Sequence, residues 1–131
     1  MTKKPVVVDF HAHIAVTEVL EKTFRHSQFA RAIAKNKPNK KGIGIPKPAL
    51  DRMSDMSIRF QEMDMMGIDI QIISPSILQQ CTYWAKPDAA LKMERRSNDF
   101  IAEAVAQNPD RLVGIGSVPL QDVNLAAKEL E

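Results

Sequence analysis

Two histidines near the start of the chain, His11 and His13, have the spacing of a metal-binding pair. The apolar run before them predicts a β-strand, in which alternate side chains point to the same face. At about 3.3 Å of rise per residue, their Cα atoms would lie roughly 6–7 Å apart, within reach of one divalent ion. Asp9 adds an acidic group beside the pair. The spacing alone leaves a second interpretation open, in which both histidines are idle groups at an exposed strand end.

The run Val6-Val7-Val8 shows no alternation of apolar and polar residues. Such a run predicts a strand that is buried on both faces, as in a parallel sheet. In α/β enzymes the catalytic groups lie at the carboxyl ends of the parallel strands. Because His11 and His13 follow directly after the run, we expect them at that end of the sheet.

The rest of the chain alternates between helical and strand patterns. Apolar residues at helical spacing predict helices over residues 16–33, 51–66, 88–107 and from 122 onward. Apolar, β-branched runs predict further strands over residues 68–73 and 112–118. Strands that alternate with helices are typical of α/β proteins with a parallel sheet.

Individual residues mark the ends of several of these elements. Asp88 and Asp122 are predicted N-caps, and Gly67 stands where a left-handed residue ends a helix. Two glycines within the third strand, Gly114 and Gly116, predict a close backbone approach inside a curved sheet.

Two loops carry residues of possible functional interest. Residues 35–48 combine five lysines with glycines and prolines, which predicts a flexible basic loop that is either simply solvated or an anion-attracting rim. Residues 78–87 predict a second loop that carries Cys81, Tyr83 and Trp84. Its aromatic residues either wall a substrate pocket or fasten the loop to its surroundings. Ser76 and Trp84 are the candidate substrate-binding residues.

Composition excludes several classes of protein. The chain has 131 residues, of which 44% are hydrophobic and 26% charged, with a net charge of +2, as in an ordinary globular domain. This small basic surplus does not favour nucleic-acid binding. No apolar run approaches the about 20 residues that span a bilayer. Cys81, the single cysteine, forms no intrachain disulfide, and with no signal-peptide pattern we expect a cytoplasmic protein.

Several stretches together resemble the amidohydrolase superfamily, within it the amidohydrolase-related branch that contains aminocarboxymuconate-semialdehyde decarboxylase. They are Val-Asp-Phe-His-Ala-His at residues 8–13, residues 59–64 with 67–71, Tyr-Trp-Ala-Lys-Pro at 83–87, Asn-Asp at 98–99, and residues 108–114 and 118–122. The resemblance covers nearly the whole chain apart from about residues 15–50. This departure affects the segment that helps to hold substrate in the decarboxylase, so the resemblance does not carry over that enzyme's own substrate.

The resemblance implies a fold and a cofactor. The fold is the N-terminal part of a (β/α)8 barrel, with about three parallel strands and intervening helices in a single domain segment over residues 1–131. The cofactor is one divalent metal, with zinc favoured and manganese as the alternative, and His11 and His13 are carried over as two of its ligands. The other ligands and the catalytic residues are expected beyond residue 131, and a homodimer is expected by resemblance only.

The length of the chain bears on its activity. A (β/α)8 barrel needs at least about 200 residues, so we expect this chain to be a piece of a longer protein and to be inactive alone. The alternative is a stand-alone three-stranded module that oligomerises to cover its sheet edges.

Three functions stay open at this point. The favoured one is metal-dependent decarboxylation of a small carboxylated, aromatic-derived compound, with cleavage of a carbon–carbon bond. Hydrolysis of a lactone or amide at the same site is the second. The third is a non-catalytic α/β binding or structural module.

Overall fold

The computed structural model of the chain describes residues 4–33 and 43–131. In chain order its elements are β1 (Val8–Ile14), α1 (Thr17–His26), α2 (Gln28–Ile33), α3 (Lys47–Ser54), α4 (Met56–Met66), β2 (Ile70–Pro75), α5 (Ile77–Gln80), α6 (Pro87–Gln107), β3 (Leu112–Gly114) and α7 (Val123–Leu130). Within the described residues, none of these helices combines the length and apolar character needed to cross a membrane.

The three strands form one parallel sheet in the order β1-β2-β3. Each strand is connected to the next through helices, so the predicted α/β fold is confirmed. In its described residues, the connection from β1 to β2 contains α1 to α4, and the connection from β2 to β3 contains α5 and α6. All three strands therefore end at the same edge of the sheet, where the segment after each strand begins.

Two apolar clusters form the core. The first lies between one face of the sheet and helices α4 and α6, and its buried residues include Ala12, Ile14, Met63, Ile73, Met93, Ile101, Ala104 and Leu112. The second joins the helices that follow β1 to α5, and its buried residues are Ala15, Leu20, Phe24, Ala30, Ile43, Leu50 and Leu78. The first cluster holds the sheet against its helices and so supports the strand that carries the two histidines.

The prediction for the first strand is wrong in one respect. Val6 and Val7 precede β1 and are 64% and 44% exposed, and Phe10 within the strand is 76% exposed. The strand is not buried on both faces, because the described helices cover only the face that carries Ala12 and Ile14. A continuous apolar run predicts what a strand can bury, whereas its actual burial depends on what lies against each face.

The predicted helices are present, but the sequence pattern did not predict two breaks between consecutive helices. Ser27 separates α1 from α2, and its hydroxyl accepts a hydrogen bond from the amide of Ala30 at 3.1 Å. Asp55 separates α3 from α4, and its carboxylate accepts from the amides of Ser57 and Ile58 at 2.8 and 3.3 Å. Both residues form N-caps inside a continuous apolar periodicity, which is why the periodicity alone predicted uninterrupted helices.

The end signals of the remaining helices are mostly confirmed. Gly67 ends α4 with a φ of 71°, and Asp122 caps α7 by accepting from two amides at 3.0 Å. Asp88 is not an N-cap, because α6 begins one residue earlier at Pro87 and Asp88 lies in its first turn. Proline suits this first position, since its missing N–H would have no helical partner there.

The boundaries of loops and strands shift by a few residues. Of the predicted basic loop at residues 35–48, residues 35–42 lie outside the described part of the chain; Ile43 is buried and α3 already begins at Lys47. The loop at residues 78–87 starts with the last turn of α5. Strand β2 covers Ile70–Pro75 rather than residues 68–73, and β3 is shorter than predicted.

The predicted close approach at the two glycines is confirmed. A Cβ atom on Gly114 would lie 2.5 Å from Cγ2 of Ile101, and one on Gly116 would lie 3.1 Å from Oδ1 of Asn98. Both contacts come from α6, which crosses the sheet directly over the end of β3. These glycines let the longest helix of the chain pack against the strand backbone.

Candidate metal centre

His11 and His13 lie side by side on the same face of β1, as their spacing predicts. Their ring centroids are 4.8 Å apart and the ring planes meet at 77°. His13 is partly buried and His11 is exposed. Both lie in the carboxyl-terminal half of the strand, at the edge of the sheet where the catalytic groups of α/β folds are found.

A β-bulge lies just before the pair. Asp9 is paired with Gln71 and Ala12 with Ile73, so three steps along β1 match two steps along β2. Beyond the bulge, His13 is paired with Ser74. Gln71 and Ser74 lie three residues apart on a regular strand and therefore on opposite faces, which puts Asp9 on the face opposite to the histidines. Asp9 thus does not share a face with the imidazoles, contrary to what simple alternation along β1 suggests.

Ser74 holds the ring of His13. Its hydroxyl oxygen lies 3.0 Å from Nδ1 of His13, and the two residues are also cross-strand partners. The tautomer of His13 that donates from Nδ1 leaves the lone pair of Nε2 free for a ligand. This is the arrangement by which a second residue usually orients a metal-binding histidine. No local sequence pattern indicates this role of Ser74, which follows only from the register of β1 against β2.

A hydrogen-bonded series of side chains runs on the opposite face of the sheet. Arg59 on α4 donates to the carbonyl oxygen of His13 and to Oε1 of Gln71, each at 2.6 Å. Gln71 donates from Nε2 to Asp9 at 2.8 Å, and the other oxygen of Asp9 accepts from the backbone amide of His11 at 3.1 Å. We call these three side chains, Arg59, Gln71 and Asp9, the Arg59 relay.

Both charged ends of the relay have pKa values below their usual range, for different reasons. The hydrogen bond from the His11 amide, followed by the one from Gln71, holds the pKa of Asp9 below its usual range. Burial lowers the pKa of Arg59, whose side chain is only 6% exposed. Arg59 and Gln71 lie in stretches that carry the family resemblance, but no role was predicted for them, because nothing in their local sequence indicates that an arginine on α4 reaches β1.

The two histidines fit a divalent metal but do not complete its ligand set. Two imidazoles on one face with a free Nε2 are suitable ligands for zinc and for several other divalent ions. A catalytic zinc site needs three protein ligands and an open position. In residues 4–33 and 43–131, no third His, Cys, Asp or Glu joins the pair to form a cluster of three.

Ser76, a predicted substrate-binding residue, is buried within a polar network. Its hydroxyl donates to Oε1 of Gln79 at 3.3 Å. The same oxygen accepts from the amide of Val16 at 3.1 Å, and Nε2 of Gln79 donates to Ser97 at 2.9 Å. This network joins the ends of β1 and β2 to α6, and it gives Ser76 a structural partner within the described residues.

Trp84, the other predicted substrate-binding residue, lies beside a different depression. Its ring stacks on His26 with centroids 5.9 Å apart and planes 19° apart, and its Nε1 is buried without a hydrogen-bond partner among the described residues. It lines a pocket of ≈ 470 Å³ together with residues 26–29, Cys81 and Tyr83. Neither His11 nor His13 lines this pocket, so the described chain does not bring Trp84 and the histidine pair into one cavity.

Comparison with curated proteins finds decarboxylases. The chain is 40% identical over 76 residues to 2-amino-3-carboxymuconate-6-semialdehyde decarboxylase of Dictyostelium discoideum, a match that covers 58% of this chain and 21% of the relative. It is 43% identical over 75 residues to gamma-resorcylate decarboxylase of Polaromonas sp., with 56% and 22% covered. The aligned segments thus span about a fifth of the length of these relatives. No protein-family model matches it.

Comparison with solved structures finds the same kind of enzyme. The dihydroxybenzoic acid decarboxylase of Polaromonas sp. JS666, crystallised with manganese and the inhibitor 2-nitroresorcinol, superposes with a TM-score of 0.72 at 30% identity, covering 98% of this chain and 34% of that one. The 5-carboxyvanillate decarboxylase of Sphingomonas paucimobilis superposes with a TM-score of 0.77 at 22% identity, covering 95% of this chain and 38% of that one. At this identity, the similarity is evidence for the fold alone.

Both comparisons agree with the motifs in the sequence and with the parallel α/β sheet. The three strands and their helices are consistent with the first part of a (β/α)8 barrel. The chain is similar to 2-amino-3-carboxymuconate-6-semialdehyde, gamma-resorcylate and dihydroxybenzoic acid decarboxylases, and its matches cover about a third or less of the length of these relatives.

Proposed function

We propose that the protein containing this chain is a metal-dependent decarboxylase of small aromatic carboxylates, and that His11 and His13 are two of its metal ligands. The observation that carries the proposal is the pair of imidazoles 4.8 Å apart near the carboxyl end of β1, in a chain similar to decarboxylases. The substrate class is supported by the gamma-resorcylate and dihydroxybenzoic acid decarboxylases among its relatives. The whole barrel would form one domain, with the remaining ligands and the catalytic residues outside residues 1–131.

The described residues would each contribute in a defined way. His11 and His13 would hold the ion, and Ser74 would fix the ring of His13 through its bond to Nδ1. When bound, a divalent ion supplies Lewis-acid stabilisation of negative charge on substrate oxygen atoms. Zinc is the proposed ion because imidazoles bind it well, and manganese is the alternative, supported by the manganese in a solved relative. A cytoplasmic location and a homodimer remain part of the proposal.

Ser76 and Trp84 stay predictions as substrate-binding residues. Both lie in the segment that follows β2, at the edge of the sheet where the histidines lie. The hydroxyl of Ser76 is bonded to Gln79, and the ring of Trp84 is stacked on His26. A role in substrate binding would require other segments of the protein to complete a cavity around them.

The experiment that tests the proposal uses the intact protein. Metal content is measured by elemental analysis for the wild type, for the His11→Ala, His13→Ala double variant and for His26→Ala, which removes the third histidine of the chain. We expect the double variant to lose its metal and its decarboxylation of 2,6-dihydroxybenzoate, the compound bound in a solved relative. We expect His26→Ala to retain its metal. Unchanged metal content in the double variant would contradict the proposal.

Hydrolysis and a non-catalytic role have distinct outcomes. Decarboxylation releases CO2 without incorporating solvent oxygen into the product, whereas hydrolysis of a lactone or amide incorporates it. Assays in ¹⁸O-labelled water separate the two. A protein that binds metal but converts none of a panel of hydroxybenzoates, lactones and amides would support the non-catalytic module instead.

A further inference from the structure

Arg59 is a buried cation in an unusual setting. Its side chain is 6% exposed, yet among the described residues no Asp or Glu forms a direct ion pair with it. Burying a charge without a counter-ion in contact is costly unless hydrogen bonds compensate. Within residues 4–33 and 43–131, Arg59 donates to Gln71 and to the backbone carbonyls of His13 and Arg52. What this cation holds in place is therefore mainly backbone and one amide side chain.

Both ends of the Arg59 relay act on the backbone of the histidine pair. At one end, Nη2 of Arg59 donates to the carbonyl oxygen of His13. At the other end, Oδ1 of Asp9 accepts from the amide of His11. Gln71 connects the two charges, accepting from Arg59 with Oε1 and donating to Asp9 with Nε2. The two bonds of Gln71 are polarised in the same direction, from cation through amide to anion, so they strengthen one another.

The Arg59 relay lies beside the bulge in β1, where regular pairing with β2 is interrupted. The bulge in β1 between Asp9 and Ala12 inserts one residue that has no cross-strand partner. In the bulge, the amide of His11 is satisfied by the side chain of Asp9, at 3.1 Å. The orientation of His11 relative to His13 therefore depends on side chains that lie on the opposite face of the sheet.

We propose that the Arg59 relay positions His11 and His13 for metal binding by holding the backbone of β1 from behind. This inference rests on the proposed metal site. Arg59, Gln71 and Asp9 touch neither metal nor substrate in this scheme, so they are positioning residues. Their loss reduces metal affinity because the two imidazoles no longer converge, not because a ligand is missing.

Two substitutions separate positioning from general stability. Arg59→Lys keeps the charge but cannot reproduce the planar fork that reaches Gln71 and His13 together. Gln71→Glu keeps an acceptor for Arg59 and turns the donor toward Asp9 into a carboxylate oxygen, which breaks the link to Asp9 only. The matched control is Arg111→Lys. Arg111 also donates to backbone carbonyls, those of Asp69 at 2.9 Å and Ile68 at 3.3 Å. These carbonyls lie just before the start of β2 and not in β1.

The experiment measures three quantities in the intact protein. The dissociation constants for zinc and manganese are determined by competition with a chelator. The Tm of the metal-free form is measured separately. Hydrogen–deuterium exchange is followed in the metal-free protein over the peptide that contains residues 8–14. We expect both relay variants to raise the dissociation constants about 10–100-fold and to speed exchange in β1. We expect Arg111→Lys to lower the Tm about as much as the two relay variants do, without changing metal affinity.

Wild-type metal affinity in both Arg59→Lys and Gln71→Glu would overturn the inference. If His11→Ala, His13→Ala still abolished binding in that case, the proposed metal site would stand and only the relay would fail. A wild-type protein that binds neither metal would overturn the metal site and the relay with it. If Arg59→Lys does not fold, Gln71→Glu decides, because it leaves the buried arginine with a partner.

Discussion

His13 and Ser74 are cross-strand partners whose side chains also meet, with Nδ1 and the hydroxyl oxygen 3.0 Å apart. The pairing of β1 with β2 therefore determines how the imidazole is turned. A shift of the register by one residue would move Ser74 to the other face and leave His13 free to rotate.

Removing the hydroxyl of Ser74 is expected to weaken metal binding. Ser74→Ala takes away the partner of Nδ1 and lets the ring of His13 reorient, so we expect metal affinity to fall about 10-fold. Ser76→Ala, two residues further on, removes a buried hydrogen bond to Gln79 and is expected to cost about 1 kcal/mol of stability with metal affinity unchanged. Chelator competition and urea unfolding measure the two effects. A raised KM in Ser76→Ala would favour its predicted role in substrate binding.

The indole of Trp84 offers a second test. Trp84→Phe keeps a ring against His26 and removes a buried Nε1–H that has no partner among the described residues. We expect the free energy of unfolding to change by no more than about 1 kcal/mol, since no hydrogen bond is lost. Steady-state kinetics of the same variant examine the substrate prediction: an increase in KM supports it, whereas an unchanged KM assigns Trp84 to packing.

Glu94 makes stability depend on pH. It is fully buried on α6, and this burial raises the pKa of its carboxyl group above the usual 4.5, although hydroxyls of Thr82 and Ser117 donate to it. The folded state then holds the proton more tightly than the unfolded state. Stability is therefore greatest below pH 4.5 as far as this group is concerned, and it falls as the pH rises through the folded pKa.

Glu94→Gln is expected to remove this dependence, because the amide does not titrate. Urea unfolding of the intact protein between about pH 4 and pH 8 compares its stability profile with that of the wild type. Glu103→Gln, an exposed position on the same helix, is the control and keeps the wild-type slope. Parallel profiles for the wild type and Glu94→Gln would show that the carboxyl group is ionised equally in both states.

Packing of α6 on β3 predicts a graded effect at two glycines. Gly114→Ala would place a Cβ 2.5 Å from Cγ2 of Ile101, so the side chain of Ile101 or the helix that carries it must shift, and we expect a loss of about 1–3 kcal/mol. Gly116→Ala meets Oδ1 of Asn98 at 3.1 Å and is expected to cost less. Chemical denaturation of both variants tests the order. Equal stability of Gly114→Ala and the wild type would contradict the close approach.

The local pattern of the sequence was enough for much of the fold. The alternation of strands and helices gave the parallel α/β sheet, and Gly67 and Asp122 marked helix ends through their own backbone and side-chain chemistry. The spacing of His11 and His13 placed two imidazoles on one face. These properties depend on residues within a few positions of one another, so the sequence contains the information directly.

The tertiary structure alone decided what holds the candidate site. The bulge that turns Asp9 away from the histidines exists because β1 and β2 pair with unequal spacing, which neither strand reveals alone. Arg59 lies 46 residues from His13 along the chain and Gln71 lies 62 from Asp9. Such contacts depend on how α4 packs on the sheet, and that packing is set by the shapes of many side chains together rather than by any local motif.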